Sequence, residues 1–474
     1  MTSNRTEASA ALLPQSLPLA AYLMIAISQF IVSSDFSYTS IGLASIQRDL
    51  HIEPALLQWI VSAWALAFGG MVIFGGRLAD VAGYRFSYVT GISAFVGGAI
   101  LVALAPNLAV AIVGRAMIGF GGALIKPAAL AYIAQTSSTA EIRKKRLATY
   151  YMWQGLGAGI GLVAGGLLIN LFGWRSMFAL NAVIATAGLV AGFRALQGAV
   201  QQTKKTSMDV PGSLLATIAT TLVVFMLSLV ARNGWLSPVV GSTALAVFAA
   251  TALFVFVEWR ASNPAVPLGM FTLPNFSGAL VCSTCASASN SGMLVLLPLY
   301  LQHSAHYSPF QASLTSIPMI ASVFLFGGFL IPQIMQGRSS KYGMTIGFAV
   351  LTILAVLLST MTPALVPWLP LLFACFNNFG YFMVQMSTAA EITSHVAPER
   401  RGIASGVYIA AIDFSPGLGV ALMSIGLQPH VPGGPEDFSS AFLISGTIAA
   451  TGMLVTWLFI RRGRSEATPV LTAA

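Results

Sequence analysis

Charge is what this chain has least of. Only 8% of its 474 residues are Asp, Glu, Lys or Arg, against roughly 25% in a soluble protein. No water-soluble fold of this length hides the apolar surface of a chain that is 56% hydrophobic. Cysteine is nearly missing as well: Cys282, Cys285 and Cys375 all fall inside apolar runs, which offers no disulfide framework. Cys282-Ser-Thr-Cys285 has redox-motif spacing but no soluble βαβ surroundings, so it reads as two small packing residues. No His and carboxylate cluster has metal-ligand spacing, and no serine stands at a fixed offset from a base. Those absences argue against a membrane enzyme and predict no bound cofactor. The first 18 residues are polar, with no compact apolar run ahead of a cleavage site, so no removable signal peptide is expected.

Long apolar runs take the place of charge, and mean hydropathy is +0.81. A membrane-spanning helix needs about 20 apolar residues, and fourteen such runs can be placed. They lie near 19–46, 57–79, 86–105, 107–135, 147–170, 174–195, 211–231, 238–258, 272–302, 309–334, 342–361, 366–392, 402–426 and 438–460. Alternate loops divide the cations unequally. Eighteen Lys and Arg fall on one side, and only Arg48, Arg175 and Arg232 on the other. The positive-inside rule then puts both termini in the cytoplasm of a multi-pass protein, expected in the plasma membrane and most naturally a bacterial inner membrane. The net charge of +9 needs no acidic partner. Arg143 to Arg146, between two spans, reads as a topology anchor rather than a nucleic-acid site.

Four ionisable residues lie inside the runs. A charge at membrane depth costs a few kcal/mol even on the milder insertion scales, so each should face a partner or a wet cavity. At about 1.5 Å per residue, Asp35 in the first span and Arg115 in the fourth differ by only about 5 Å in height and are placed to pair. Lys126, deeper in the fourth span and followed by Pro127, lies near the height of Asp413 in the thirteenth. That predicts a second pair across the two halves. All four are proton-coupling candidates. Because the acids and bases balance, the interior is close to neutral, and amphiphilic, neutral or zwitterionic small molecules are the expected substrates.

Polar stripes suggest where such a molecule binds. Asn377, Tyr381 and Gln385 recur every four residues on one helical face, and Ser283, Thr284, Ser287, Ser289, Asn290 and Ser291 crowd the ninth span before Pro298. Tyr38, near Asp35, and the aromatic residues Trp153 and Phe376 complete the expected cavity. In the fifth span Gly157, Gly161 and Gly165 recur every four residues, with Gly166 beside them, which lets a neighbouring backbone approach closely and slide. A polar stretch from Arg194 to Asp209 reads as a linker. The expected organisation is an N-terminal six-helix bundle (1–195), a linker with two additional helices (196–262) and a C-terminal six-helix bundle (263–474).

The stretch Gly75 to Tyr88, read as a tight polar turn, carries G-x-L-A-D-x-x-G-x-R at Gly76, Leu78, Ala79, Asp80, Gly83 and Arg85. It resembles the loop between the second and third helices of the major facilitator superfamily. Arg115 with Gly119 resembles that family's R-x-x-Q-G motif, with Ile118 at the glutamine position. Gly157 to Gly166 resembles its antiporter motif, with Leu162 in place of proline. A degraded copy of the loop, Gly337 to Gly343, lacks the aspartate. The six, two and six plan is similar to the fourteen-helix drug/proton antiporter branch.

The resemblance implies an all-α membrane protein of two rocking bundles, a monomer in the lipid bilayer. It also implies efflux of a drug or secondary metabolite against inward proton flow, with the proton gradient as energy source. Asp35 and Arg115 then belong to the proton-linked site, and Gly76, Asp80, Gly83 and Arg85 form a latch. A proton-coupled importer of a polar metabolite is the nearest alternative.

Overall fold

The computed structural model describes residues 18–137, 139–196, 210–261, 268–336, 338–362, 365–366, 368–394, 401–427 and 438–460. Residues 197–209 of the expected linker and the expected boundary at 262–263 lie outside them. Among the described residues the chain forms fourteen helices and a short 3-10 turn at Leu268–Thr272. The first six are α1 (Leu19–Asp49), α2 (Pro54–Val81), α3 (Tyr84–Ala103), α4 (Leu108–Thr136), α5 (Ala140–Phe172) and α6 (Arg175–Ala195). Next come α7 (Val210–Asn233), α8 (Pro238–Arg260), α9 (Pro274–His303) and a broken α10 (309–334). The last are α11 (Ser340–Ser359), α12 (Leu369–Ser394), α13 (Arg401–Gly426) and α14 (Phe438–Phe459).

Local chemistry sets these ends. Asn107 and Thr139 cap α4 and α5 by accepting from Val110 N and Ile142 N, and Pro54, Pro238, Pro274 and Pro309 occupy first turns where no N–H is needed. Among the described residues, eleven stretches are long and apolar enough to cross a membrane. They do not include α12, whose apolar run is interrupted by Asn377, Asn378 and Gln385. Two shorter apolar stretches, Trp59–Val72 and Leu214–Val230, form the cores of α2 and α7.

Two departures from the sequence reading matter. The polar stretch at 75–88 is almost wholly helical: α2 continues to Val81, its end closed by Ala82 N donating to Leu78 O at 2.8 Å. Only Ala82 and Gly83 separate it from α3. Gly83 takes φ +89°, a conformation costly for other residues, and so turns the chain in the least possible length. The tenth span, expected to be continuous, breaks at Thr315 and Ser316, resumes as Ile317–Ser322 and runs as a π-helix over Val323–Leu330. Pro318 and Pro332 each remove a backbone donor from this region, and π segments occur mostly as local bulges in otherwise α-helical runs.

Helices α1 to α6 pack among themselves, as do α9 to α14. The two sets meet along α2 with α13, α5 with α10 and α1 with α9. We call the side where α1 begins the near side, and its opposite the far side. The seams occupy the middle and the far side. Gln302 Nε2 donates to Ile41 O at 2.9 Å, and Leu162 enters a pocket formed with Leu297, Pro298, Met319 and Phe373 of the second set. Helix α7 packs against both α2 and α13. The Thr217 hydroxyl donates to the Gly70 carbonyl, and Val224 and Leu227 are buried with Ala421 beside Leu66 and Phe414. Helix α8 packs on α7 and presents Phe248, Leu253 and Trp259 outward.

The glycines of α5 divide between two partners. A Cβ on Gly157 would stand 2.5 Å from Phe30 O, on Gly161 2.8 Å from Ser34 Cα, and on Gly165 2.5 Å from Tyr38 Cβ. That stripe seats α1 within its own half. Gly159 and Gly166 face the other way, to Ile320 Cγ1 at 2.6 Å and Pro309 O at 2.7 Å on α10. The stripe at the contact between the halves is therefore the second one, and Gly166 belongs to it rather than with Gly157, Gly161 and Gly165. Substitution should separate the two roles. Gly161→Leu is expected to lower thermal stability by about 1–3 kcal/mol through overpacking. Gly159→Leu should leave the melting temperature within a few degrees while cutting transport roughly tenfold, because it obstructs only the contact between halves. Melting curves and flux on the same preparations check both.

Candidate functional site

Helix α1 brings Asp35 to the centre of the first half, and the glycine stripe of α5 decides which way it points. With Ser34 and Tyr38 pressed against Gly161 and Gly165, the next face of α1 turns Asp35 toward α4. There Arg115 Nη1 meets Asp35 Oδ2 at 2.6 Å, and neither side chain has any exposure. Tyr38 Oη donates to Asp35 Oδ1 at 2.9 Å and accepts from Asn181 Nδ2 of α6. Arg115 Nε donates to Ile60 O of α2 at 2.9 Å, and the guanidinium lies 6.0 Å from the Trp64 ring and 5.8 Å from the Phe178 ring. Burying two ions is costly unless good geometry and further hydrogen bonds compensate. Here four helices contribute, and in this group Arg115 Nη2 and Trp64 Nε1 are left without an acceptor.

A second ion pair joins the halves. Lys126 Nζ of α4 donates to Asp413 Oδ1 of α13 at 2.7 Å, with 10% and 9% of the two side chains exposed. Lys126 Nζ also lies 5.1 Å from the centre of the Phe68 ring, which stacks on Trp64 at 4.9 Å. Arg115 and Lys126 are eleven residues apart on one helix, so about 16 Å separates the two pairs along α4.

The polar stripe of α12 turns inward against α9. Asn377 Nδ2 donates to Asn290 Oδ1 at 2.6 Å. Gln385 Nε2 donates to Ser287 Oγ at 2.6 Å, and its Oε1 accepts from Ser283 at 2.9 Å and from Tyr408 at 3.0 Å. Tyr381 is half-buried beside Ser287 and Gln385. Trp153 stands apart, toward the near side, donating to Tyr22 Oη at 3.1 Å and meeting Phe30 edge-on. Phe376 is exposed and stacks on Phe326 of α10, so it does not join the Asn377 face. Tyr38, read as a cavity wall, is wholly engaged with Asp35 and Asn181.

The signature residues of the α2–α3 connection lie on the two helices and the turn between them. Gly76 is helical and half-buried, and Arg85 is exposed on the first turn of α3. The side chain of Asp80 lies outside the described residues. Of the basic cluster in the first turns of α5, Arg146 is buried and donates to both the carbonyl and the hydroxyl of Thr136, at 2.8 and 2.9 Å. It thereby caps the C-terminus of α4, and burial pulls its guanidinium below the usual arginine range.

Sequence reasoning passed over Asn181 and the Ile60 carbonyl. A signal for the first existed: Asn181 is an isolated amide in the apolar run Met177 to Ala185, and such a residue faces a polar partner in a membrane helix. Nothing in the sequence marks one backbone carbonyl among many.

The family model of the Major Facilitator Superfamily matches residues 25–420, and the chain belongs to that superfamily of membrane transporters. It is 29% identical over 467 residues to the cephamycin export protein CmcT of Amycolatopsis lactamdurans, covering 96% of this chain and 92% of that one. It is 28% identical over 442 residues to the methylenomycin A resistance protein of Streptomyces coelicolor, covering 93% and 91%. Among solved structures, the peptide transporter POT in complex with sulfate superposes with a TM-score of 0.70 at 16% identity, covering 95% of this chain and 96% of that one. At that identity the likeness shows the fold alone.

Proposed function

We propose that this protein exports an amphiphilic secondary metabolite from the cytoplasm in exchange for inward-moving protons, by alternating access of its two helical halves. The observation that carries this reading is the enclosed Asp35–Arg115 pair, braced by Tyr38 and Ile60 yet contained in one half. A guanidinium at 2.6 Å favours the charged carboxylate, and moving it away favours the protonated one. A tilt that changes this one distance therefore changes proton affinity, which is the differential interaction coupling requires. Helix α4 transmits the movement, since the same helix carries Lys126 to the seam with α13.

The names of the relatives support the direction: one exports cephamycin and another confers resistance to methylenomycin A. Seams in the middle and far side favour a conformation open on the near side, where the positive-inside rule puts the cytoplasm. Substrate would enter there, against the α9–α12 polar face and Trp153.

Whole-cell accumulation tests the direction. Deleting the chain from its host should raise intracellular levels of the exported compound at least several-fold, and a fall would make the protein an importer. Purified protein in liposomes, given a panel of amphiphilic metabolites and a pH difference, should show flux that follows the gradient and reverses with it.

A further inference from the structure

The two ion pairs are built differently, and the difference assigns them different work. Asp35 and Arg115 are sealed within one half. Lys126 and Asp413 come from opposite halves and keep about a tenth of their side chains exposed. Asp413 Oδ2 is buried with no donor, and one Lys126 bond leaves further N–H donors of its ammonium for other acceptors. The Phe68 ring supplies an aromatic floor beneath Nζ. On α13, Gly406 lies two turns before Asp413 on the same face. It is exposed and has no atom within 4 Å of where a Cβ would stand, so this face opens toward the near side below the pair.

We propose that Lys126 and Asp413 form a split binding site for zwitterionic substrates, in which a ligand ammonium takes the place of Lys126 on Asp413 and a ligand carboxylate takes the place of Asp413 on Lys126. This rests on the export reading above and narrows its substrate class. A ligand bearing both charges leaves each buried ion compensated after the pair parts. A ligand with one charge leaves the opposite ion alone, which is the expensive outcome for a buried pair. Insertion would also part the halves where this pair joins them, so occupancy and rocking are linked at one place.

Four probes isolate the charges: 4-benzoylphenylalanine, its methyl ester, its N-acetyl derivative and the N-acetyl methyl ester. Equilibrium dialysis against the purified full-length protein at neutral pH measures binding without needing transport. The zwitterion is expected to bind wild-type protein at least about tenfold more tightly than any blocked form, a gap of about 1.4 kcal/mol. Asp413→Asn should invert the order in favour of the N-acetyl acid, and Lys126→Gln in favour of the ester. The exchange Lys126→Asp with Asp413→Lys should restore preference for the zwitterion, which also controls for folding. A static strut between the halves predicts equal shifts for all four probes. That result, or no zwitterion preference up to about 10 mM, overturns the proposal. Loss of pH-driven flux for every compound would instead strike the export reading and leave these affinities standing.

Discussion

Asp35→Asn is expected to abolish flux driven by a pH difference while leaving exchange of substrate for substrate across the same membrane largely intact. The side chain keeps its size, and Asn Oδ1 still accepts from Tyr38, so the packing of α1 against α5 should survive. What disappears is the group whose protonation, in the proposed mechanism, follows the position of Arg115. Without it, substrate movement and proton movement share no free energy, and gradient-driven flux should fall to the leak level, about a hundredfold or more.

A stability effect accompanies this change and must be separated from it. The substitution leaves Arg115 as a buried charge without its counter-ion, at a cost of roughly 3–5 kcal/mol, partly offset by the Ile60 carbonyl and the flanking rings of Trp64 and Phe178. Asp35→Asn combined with Arg115→Gln removes both charges, and its melting temperature should return toward wild type. If coupling depends on a titrating carboxylate, the double variant folds well and still shows no pH-driven flux. Wild-type rates from either variant under a pH gradient would remove Asp35 from the mechanism.

The sequence made this pair legible because membranes make charge expensive. Asp35, Arg115, Lys126 and Asp413 stood out against apolar runs, and counting rise per residue from each span's end matched their heights. The ends are fixed by length and by interfacial cations, so that arithmetic was sound without helical phase.

What the sequence hid depended on phase and on backbone. The glycines of α5 look like one stripe when counted by fours, yet Gly159 and Gly166 point about half a turn away from Gly161 and meet a different helix. Tyr38 looked like a cavity wall because it is aromatic and near Asp35. Three residues on from Asp35 in a helix, it lies on nearly the same face, and its hydroxyl reaches back to the carboxylate. The stretch 75–88 reads as a turn from its polar residues and glycines, whereas the backbone needs only Ala82 and Gly83 to reverse. The break in α10 follows from Thr315-Ser316 and the prolines, but a π segment has no composition of its own to announce it.

Locking the seam between α5 and α10 should stop the cycle altogether. A Cβ on Gly155 would stand 3.3 Å from Val323 Cγ1 with Val323 Cβ beyond 4 Å, which puts residues 155 and 323 at the upper end of the about 3.5–4.5 Å between the Cβ atoms of a disulfide. Gly155→Cys with Val323→Cys, made in a chain whose Cys282, Cys285 and Cys375 are replaced by alanine, is expected to cross-link on oxidation with the protein in the arrangement described here. Val323 begins the π-helical part of α10, so the bond would tie the most irregular stretch of one half to the longest helix of the other. If access alternates by opening this seam, oxidised protein should lose about fifty-fold or more of its flux, and reduction should restore it. Each single cysteine variant should keep near wild-type rates under both conditions. Position 406, open in this arrangement, gives the independent readout: a cysteine there should remain reactive toward a membrane-impermeant thiol reagent applied from the near side after cross-linking, as the proposed near-side-open state requires. Full flux through the oxidised protein would mean that α5 and α10 move as one body, and the hinge would then have to lie along α2, α7 and α13.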